Sequence, residues 1–227
     1  MNGDLRINAD FSERVVVDSS IMEWEPSPSP TVWRKRLALS GGAESGIVTS
    51  VVRYDPDSAF DQHPHPGGEE FFVLDGVFSD EHGDYPAGSY LLNPEGFSHA
   101  PRSADGCVIF VKLRQYAGAT RERRFIDSNA MGWQRGPSPG TWFKLLYAQP
   151  GYPERVRLVR MDPGAGPVPH DHPGGEETYV LEGAVEDEHG RYATGTWIRQ
   201  PDGSRHAPFT RTGCTMLVRQ GFLPAVG

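Results

Sequence analysis

The sequence predicts an all-β protein in which one small domain is written twice, and three observations carry that prediction. The first is a repeat: HPHPGGEEFFVLDG at residues 63–76 returns as HDHPGGEETYVLEG at 170–183. From His63 to Val111 and from His170 to Val218, a gapless offset of 107 gives 24 identities in 49 positions. The second is punctuation. Twenty-seven glycines and 20 prolines are spread along 227 residues rather than clustered, as many short strands joined by turns require. The third is periodicity: no stretch of the repeat sustains a 3.6-residue apolar period with capping signals. Short antiparallel strands at this density make a sandwich or a jelly-roll barrel.

Taken in chain order, the elements follow. VVVDSSIMEWEPSPSPTVWRKRL (15–37) aligns with RFIDSNAMGWQRGPSPGTWFKLL (124–146) at an offset of 109, placing Trp24 on Trp133 and Trp33 on Trp142. Residues 15–38, with PSPSP at 26–30, are expected to form strands and a turn that cover a sheet edge or reach a neighbouring copy. The four tryptophans then anchor a core or an interface rather than a site. Extra SGGAESG turn material near 40–47 accounts for the two-residue difference in offset. IVTSVVRYDP is a strand leading into the histidine-rich segment. FFVLDGVFSDEHGDYPAGSYLLNP offers an apolar run, a tight DEHG turn and a second run closed by Asn93-Pro94. CVIFVKLRQ is a further strand. Cys107 and Cys214 occupy matching GC dipeptides and are expected as small buried strand residues, not as a disulfide. Each copy is about 105 residues, the size of one small domain, which divides the chain at 1–119 and 120–227.

Charge and hydropathy narrow the function. A formal net charge of −8 lacks the basic footprint that phosphate backbones require, so nucleic acid is not an expected partner. No segment approaches about 18 apolar residues, so no membrane span is expected. MNGDLRINADFSER has no apolar run between a basic start and a small-residue cleavage site, which predicts a cytoplasmic protein.

All eight histidines fall into four pairs at the 107 offset: His63 with His170, His65 with His172, His82 with His189 and His99 with His206. In a strand, residues two apart project to one face, so His63 and His65 point the same way. Pro64, Pro66, Gly67 and Gly68 make a corner, after which Glu69 can turn its carboxylate back toward the imidazoles. PEGFSHAP supplies another turn and then His99. The second copy repeats the set with His170, His172, Glu176 and, through PDGSRHAP, His206. Three neutral imidazoles and one carboxylate converging inside a barrel make a first-row transition-metal site with open coordination positions. His82 and His189 lie in DEHG and are expected as exposed turn residues. Glu70 and Glu177, on the opposite face by alternation, are expected to anchor the corner through hydrogen bonds.

HPHPGGEEFFVLDG with PEGFSHAP resembles the two cupin motifs, with Gly76 and Gly183 at the glycine position that closes the first motif. The asparagine after His99 and His206 is missing in both copies. The four ligand positions are intact. More narrowly, GGEE, FSDEHGDYPAG and the GC dipeptide resemble the cupin domain of ChrR-type anti-sigma factors, a group related to 2,4′-dihydroxyacetophenone and acetylacetone dioxygenases. The resemblance runs from about residue 5 to 222. It implies two tandem cupin domains, each a double-stranded β-helix or jelly roll.

It also implies a divalent transition metal, up to two per chain, with Fe(II) favoured and Zn(II) second. The expected reaction is oxidative C–C cleavage of a small β-diketone or hydroxyketone-like substrate by O2. The alternative is a zinc-binding ChrR-like sensor bicupin without catalysis, although the first 14 residues contain no cysteine or histidine for a sigma-binding zinc segment. Catalysis is expected to centre on the metal with no separate acid–base residue, no other cofactor is expected, and further dimerisation stays open. Alternation from Glu69 sets Phe71 and Val73 toward the first metal, where the second copy has Thr178 and Val180. A more hydrophobic shell suits a reactive metal–oxygen species and favours the first site as the active one. Tyr85, Tyr192, Tyr90 and Trp197 are expected to fill space.

Overall fold

The structure is a computed structural model, described over residues 5–118 and 120–223. The described residues are almost all strand and turn, as β-branched and aromatic runs between Gly and Pro dictate. They form two compact units, each made of two stretches of chain: Met1–Ala9 with Met22–Ala130, and Asp10–Ile21 with Met131–Gly227.

The main sheet of the first unit runs Leu5–Ile7, Val32–Gly41, Ile47–Tyr54, Cys107–Leu113, Glu69–Asp80, Ser89–Asn93, Arg124–Asp127. That of the second runs Gln134–Arg135, Thr141–Tyr147, Arg155–Met161, Cys214–Gln220, Glu176–Asp187, Thr196–Gln200, Val15–Asp18. The last strand of each sheet therefore belongs, by sequence, to the other repeat. Arg124–Asp127 pairs antiparallel with Ser89–Asn93, and Val15–Asp18 pairs antiparallel with Thr196–Gln200. Residues 15–38 are thus split between the two units: the first strand closes the second sheet, and Val32 onward forms an inner strand of the first.

Each unit is a jelly-roll barrel whose inward positions alternate along the strands. Phe71, Val73, Phe78, Leu91 and Ile109 form the first core, and Met161, Val180, Val185, Ile198 and Met216 the second. Burying one such side chain contributes about 1.5–3 kcal/mol. Cys107 and Cys214 sit in these cores as free thiols, and burial pushes both up to about 11.

One glycine in each copy is dictated by the backbone. The ladder between Cys107–Leu113 and Glu69–Asp80 slips between Val108 and Ile109, and the corresponding ladder slips between Val180 and Glu182. Just beyond each bulge, Gly76 has φ +70° and a Cβ there would lie 2.2 Å from the Gly106 carbonyl oxygen. Gly183, at φ +73°, would meet the Gly213 oxygen at 2.1 Å. The motif glycine and the GC dipeptide are therefore one feature: two backbones that approach too closely for any side chain.

The tryptophans are half-buried in cation stacks. Trp24 faces Lys35 at 4.3 Å and Arg53 at 4.9 Å, and Trp133 faces Lys144 at 4.5 Å and Arg160 at 4.8 Å. No helix among the described residues is long and apolar enough to cross a membrane.

Candidate metal centres

Two short antiparallel ladders bring the histidines together. His63–Pro64 pairs with Ser98–His99, setting His63 directly across from His99. His170–Asp171 pairs with Arg205–His206, setting His170 across from His206. Residues directly opposite in such a pair share a face, so the imidazoles converge. The corner between them is made by Gly67 and Gly68, both at φ +74°, which return the chain to the sheet at Glu69.

In the first cluster, one ligand atom from each of His63, His65 and His99 lies within 4.8 Å of the others, and the second trio, His170, His172 and His206, meets the same limit. His65 Nε2 lies 2.9 Å from His99 Nε2, and Glu69 Oε2 lies 3.7 and 3.5 Å from these two nitrogens. Donors bound about 2.0–2.2 Å from one ion are roughly 3–3.5 Å apart, so these three atoms fit a shared metal, with His63 near enough to join them. In the second cluster, Glu176 Oε1 lies 3.7 Å from His172 Nε2, a buried nitrogen with no hydrogen-bond partner among the described residues. A buried lone pair left unpaired beside two other imidazoles suits a metal ligand.

The surroundings fix the donors. His63 Nδ1 lies 2.8 Å from the Asp61 carbonyl and His170 Nδ1 lies 3.2 Å from that of Val168. A carbonyl only accepts, so Nδ1 carries the proton and Nε2 is the free donor. His99, fully buried, sets Nδ1 3.1 Å from Asp80 Oδ2. Burial opposes its charged form, but the Asp80 hydrogen bond and the Glu69 and Asp80 charges outweigh that and raise its pKa. Burial holds His65, His172 and His206 below the ordinary imidazole value. Asn93 Nδ2 donates to Glu69 Oε2 at 2.9 Å, and Gln220 Nε2 donates to Glu176 Oε2 at 2.8 Å.

As residues of the site, Asp80, Asp187, Asn93 and Gln220 are absent from the sequence expectations. The aspartates had a signal: both precede EHG at the 107 offset. Asp187 stands 3.6 Å from His206 Nδ1, too far for a hydrogen bond. Each aspartate is also held by a tyrosine and an arginine. Tyr85 donates to Asp80 at 3.0 Å, with Arg123 3.9 Å from the carboxylate. Tyr192 donates to Asp187 at 2.8 Å, with Arg14 at 3.2 Å. His82 and His189 are exposed within two-residue turns, as expected. Glu70, buried, accepts from Tyr90 Oη at 2.6 Å and from Tyr116 Oη.

Above each cluster opens a cavity, about 250 Å³ in the first unit and about 170 Å³ in the second. The first is walled by Val52, Tyr54, Phe60, Ile109 and Val111, with Arg34, Arg36 and Arg114 among its lining residues. Arg34 and Arg36 are paired with Glu44, and Arg114 donates to the carbonyls of Glu44 and Gly46. Phe71 and Val73 pack into the core behind this wall instead of lining it. The second cavity is walled by Phe143, Val159, Met161 and Met216, with Arg157, Thr178 and Gln200 among them.

Residues 12–117 and again 121–224 match the sequence pattern of the ChrR cupin-like domain. No curated protein matches the sequence. Among solved structures, a proposed dioxygenase from Nostoc punctiforme superposes with a TM-score of 0.75 at 18% identity, over 92% of this chain and 82% of that one. YlbA from E. coli gives 0.72 at 14% identity, over 96% and 95%. An oxalate decarboxylase from Lactobacillus farciminis, solved as a formate complex, gives 0.65 at 12%, over 92% and 87%. At these identities the likeness is one of fold.

Proposed function

The chain belongs to the ChrR cupin-like family, and we propose that it is a metal-dependent bicupin acting as a non-haem Fe(II) dioxygenase on a small β-diketone or hydroxyketone. The observation that supports this reading is a cavity with an apolar wall that ends on His63, His65 and Glu69, where His99 completes the cluster. The likeness to a proposed dioxygenase agrees with it. His63, His65, Glu69 and His99 would hold the ion in the first unit, and His170, His172, Glu176 and His206 in the second. The ion, when bound, supplies Lewis acidity toward a chelating substrate and redox chemistry with O2.

The remaining work falls to the chain. Asp80 accepts a hydrogen bond from His99 Nδ1 and so would leave Nε2 to hold the ion. Asn93 holds Glu69 in place. Val52, Phe60, Ile109 and Val111 exclude water from the reacting atoms. Tyr54 lines the same cavity, and burial, with the charge of Glu69, holds its phenol well above the usual value. It therefore stays protonated and can donate from Oη to a developing enolate oxygen. Both atoms of O2 would end in the products: a 2-hydroxyketone gives two carboxylic acids.

The test is metal content by mass spectrometry on protein purified without chelator, followed by O2 uptake with acetylacetone. One or two equivalents of iron and substrate-dependent O2 uptake are expected. Two equivalents of zinc that resist anaerobic exchange for iron would instead favour a zinc-binding sensor, the reading that the ChrR family relationship itself supports.

A further inference from the structure

Arg157 is a charge that the proposed chemistry does not use. It lies in the strand Arg155–Met161, where alternation turns Arg157, Val159 and Met161 toward the second cavity, and all three line it. The same inward positions of the first copy, 107 residues earlier, hold Ser50, Val52 and Tyr54, which line the first cavity. The duplication has thus placed a cation where its twin has a hydroxyl.

Among the described residues the Arg157 guanidinium has no hydrogen bond or ion pair. Glu176, an acid whose charge reaches Arg157, is already engaged by Gln220 at 2.8 Å and Thr178 at 3.4 Å and faces His172. Burial and the neighbouring Arg155 disfavour the Arg157 charge, while Glu176 favours it. In register, Arg157 pairs with Val218, and Val218 with Thr178, so Arg157 shares a layer of the barrel with Thr178, next to the layer of Glu176. Two strand spacings, about 10 Å, separate those backbones, a gap that an arginine side chain is long enough to span in large part, and Arg157 lines the same cavity as His170 and His206. The arginines of the first cavity differ, being held by Glu44 and by backbone carbonyls.

Charge then decides the ligand. A divalent ion with one ligating glutamate leaves one net positive charge, which suits an enolate. Adding an unpaired guanidinium leaves two, in a cavity smaller than its twin. We infer that the second site takes a small dicarboxylate, with one carboxylate on the Arg157 fork and the other directed at the histidine cluster. The planar guanidinium matches a carboxylate in a two-pronged contact. The inference rests on the reading that the second cluster holds a metal.

Malonate and acetylacetone test it, because they share a 1,3-dioxygen skeleton and differ in charge. Binding of each to the metal-loaded full chain is measured by calorimetry at neutral pH, for the native sequence, Arg157→Ser and Arg157→Lys. Arg157→Ser installs the residue that the first copy carries at this position. It is expected to weaken malonate at one site per chain about tenfold or more and to leave acetylacetone unchanged, with Arg157→Lys intermediate. Malonate binding that is absent, indifferent to Arg157, or lost together with acetylacetone overturns the inference. So does inorganic phosphate binding more tightly than malonate. Metal content of the same samples separates the two failures. A metal-loaded second cluster without Arg157-dependent malonate binding sinks this inference alone, whereas a cluster that takes no metal sinks the reading beneath it.

Discussion

The two cavities stand on the same floor and have different walls. Each floor is three histidines and a glutamate, brought together by the same pair of short ladders and the same glycine corner. On the walls, Ser50 faces the first cavity where Arg157 faces the second, Tyr54 stands for Met161, and Leu113 for Gln220. A ligand set tolerates no drift, because losing one donor loses the ion. A wall position needs only to keep the barrel filled, so its chemistry is free to change. After duplication, the candidate ligand set was kept twice while the cavity walls diverged.

The largest expected effect tests whether the two floors are independent. His65→Ala should abolish metal at the first cluster and leave the second loaded, and His172→Ala should do the reverse. Each loss should exceed the ~10–100-fold that a mere supporting partner costs, and metal stoichiometry by mass spectrometry reads it directly. A single substitution that empties both clusters would break the idea of two self-sufficient floors.

A smaller effect sharpens the difference just beneath the ligands. Asp80 is within hydrogen-bond distance of His99 at 3.1 Å, while Asp187 stands 3.6 Å from His206. Asp80→Asn should therefore lower metal affinity at the first cluster by about tenfold. Asp187→Asn should cost the second cluster clearly less. Competition with a chromogenic chelator measures both, and equal losses would mean that the two carboxylates do the same job.

Much of this was legible in the sequence, and the part that was not has a physical cause. The HxH spacing, the glutamate four residues on and the distant third histidine are local signals that strand alternation converts into geometry, and they occur twice. Gly76 was readable as a motif position, though not the reason for it, which is the Gly106 carbonyl reached from a strand 30 residues away. Asp80 was hidden inside a turn whose histidine drew attention. Arg157 carried no motif at all. Its meaning comes from facing inward in one copy while Ser50 does so in the other, which requires knowing which strand face lines the cavity. Phe71 and Val73 showed the reverse error: alternation set them inward correctly, but inward in a barrel means core as often as cavity. The crossing of Val15–Asp18 and Arg124–Asp127 was the least legible, because two homologous strands fit either sheet equally well by pattern.

That crossing makes the smallest effect the most informative. Arg14 follows the strand exchange into the second unit, where it meets Asp187 at 3.2 Å and Tyr192 Oη at 2.7 Å. Arg123 goes the other way, donating to Tyr85 Oη at 3.0 Å but reaching no closer than 3.9 Å to Asp80. Arg14→Ala leaves the Asp187 carboxylate, almost fully buried, without its cation, at a cost of about 1–2 kcal/mol. Arg123→Ala should cost less, since its ion pair is looser and its side chain more exposed. Thermal melting ranks the two. Metal titration then asks where each loss lands: Arg14→Ala, a substitution in the first repeat, should weaken metal binding at the second cluster and spare the first. If it weakens the first cluster instead, each barrel is closed by its own repeat and the exchange of strands is wrong.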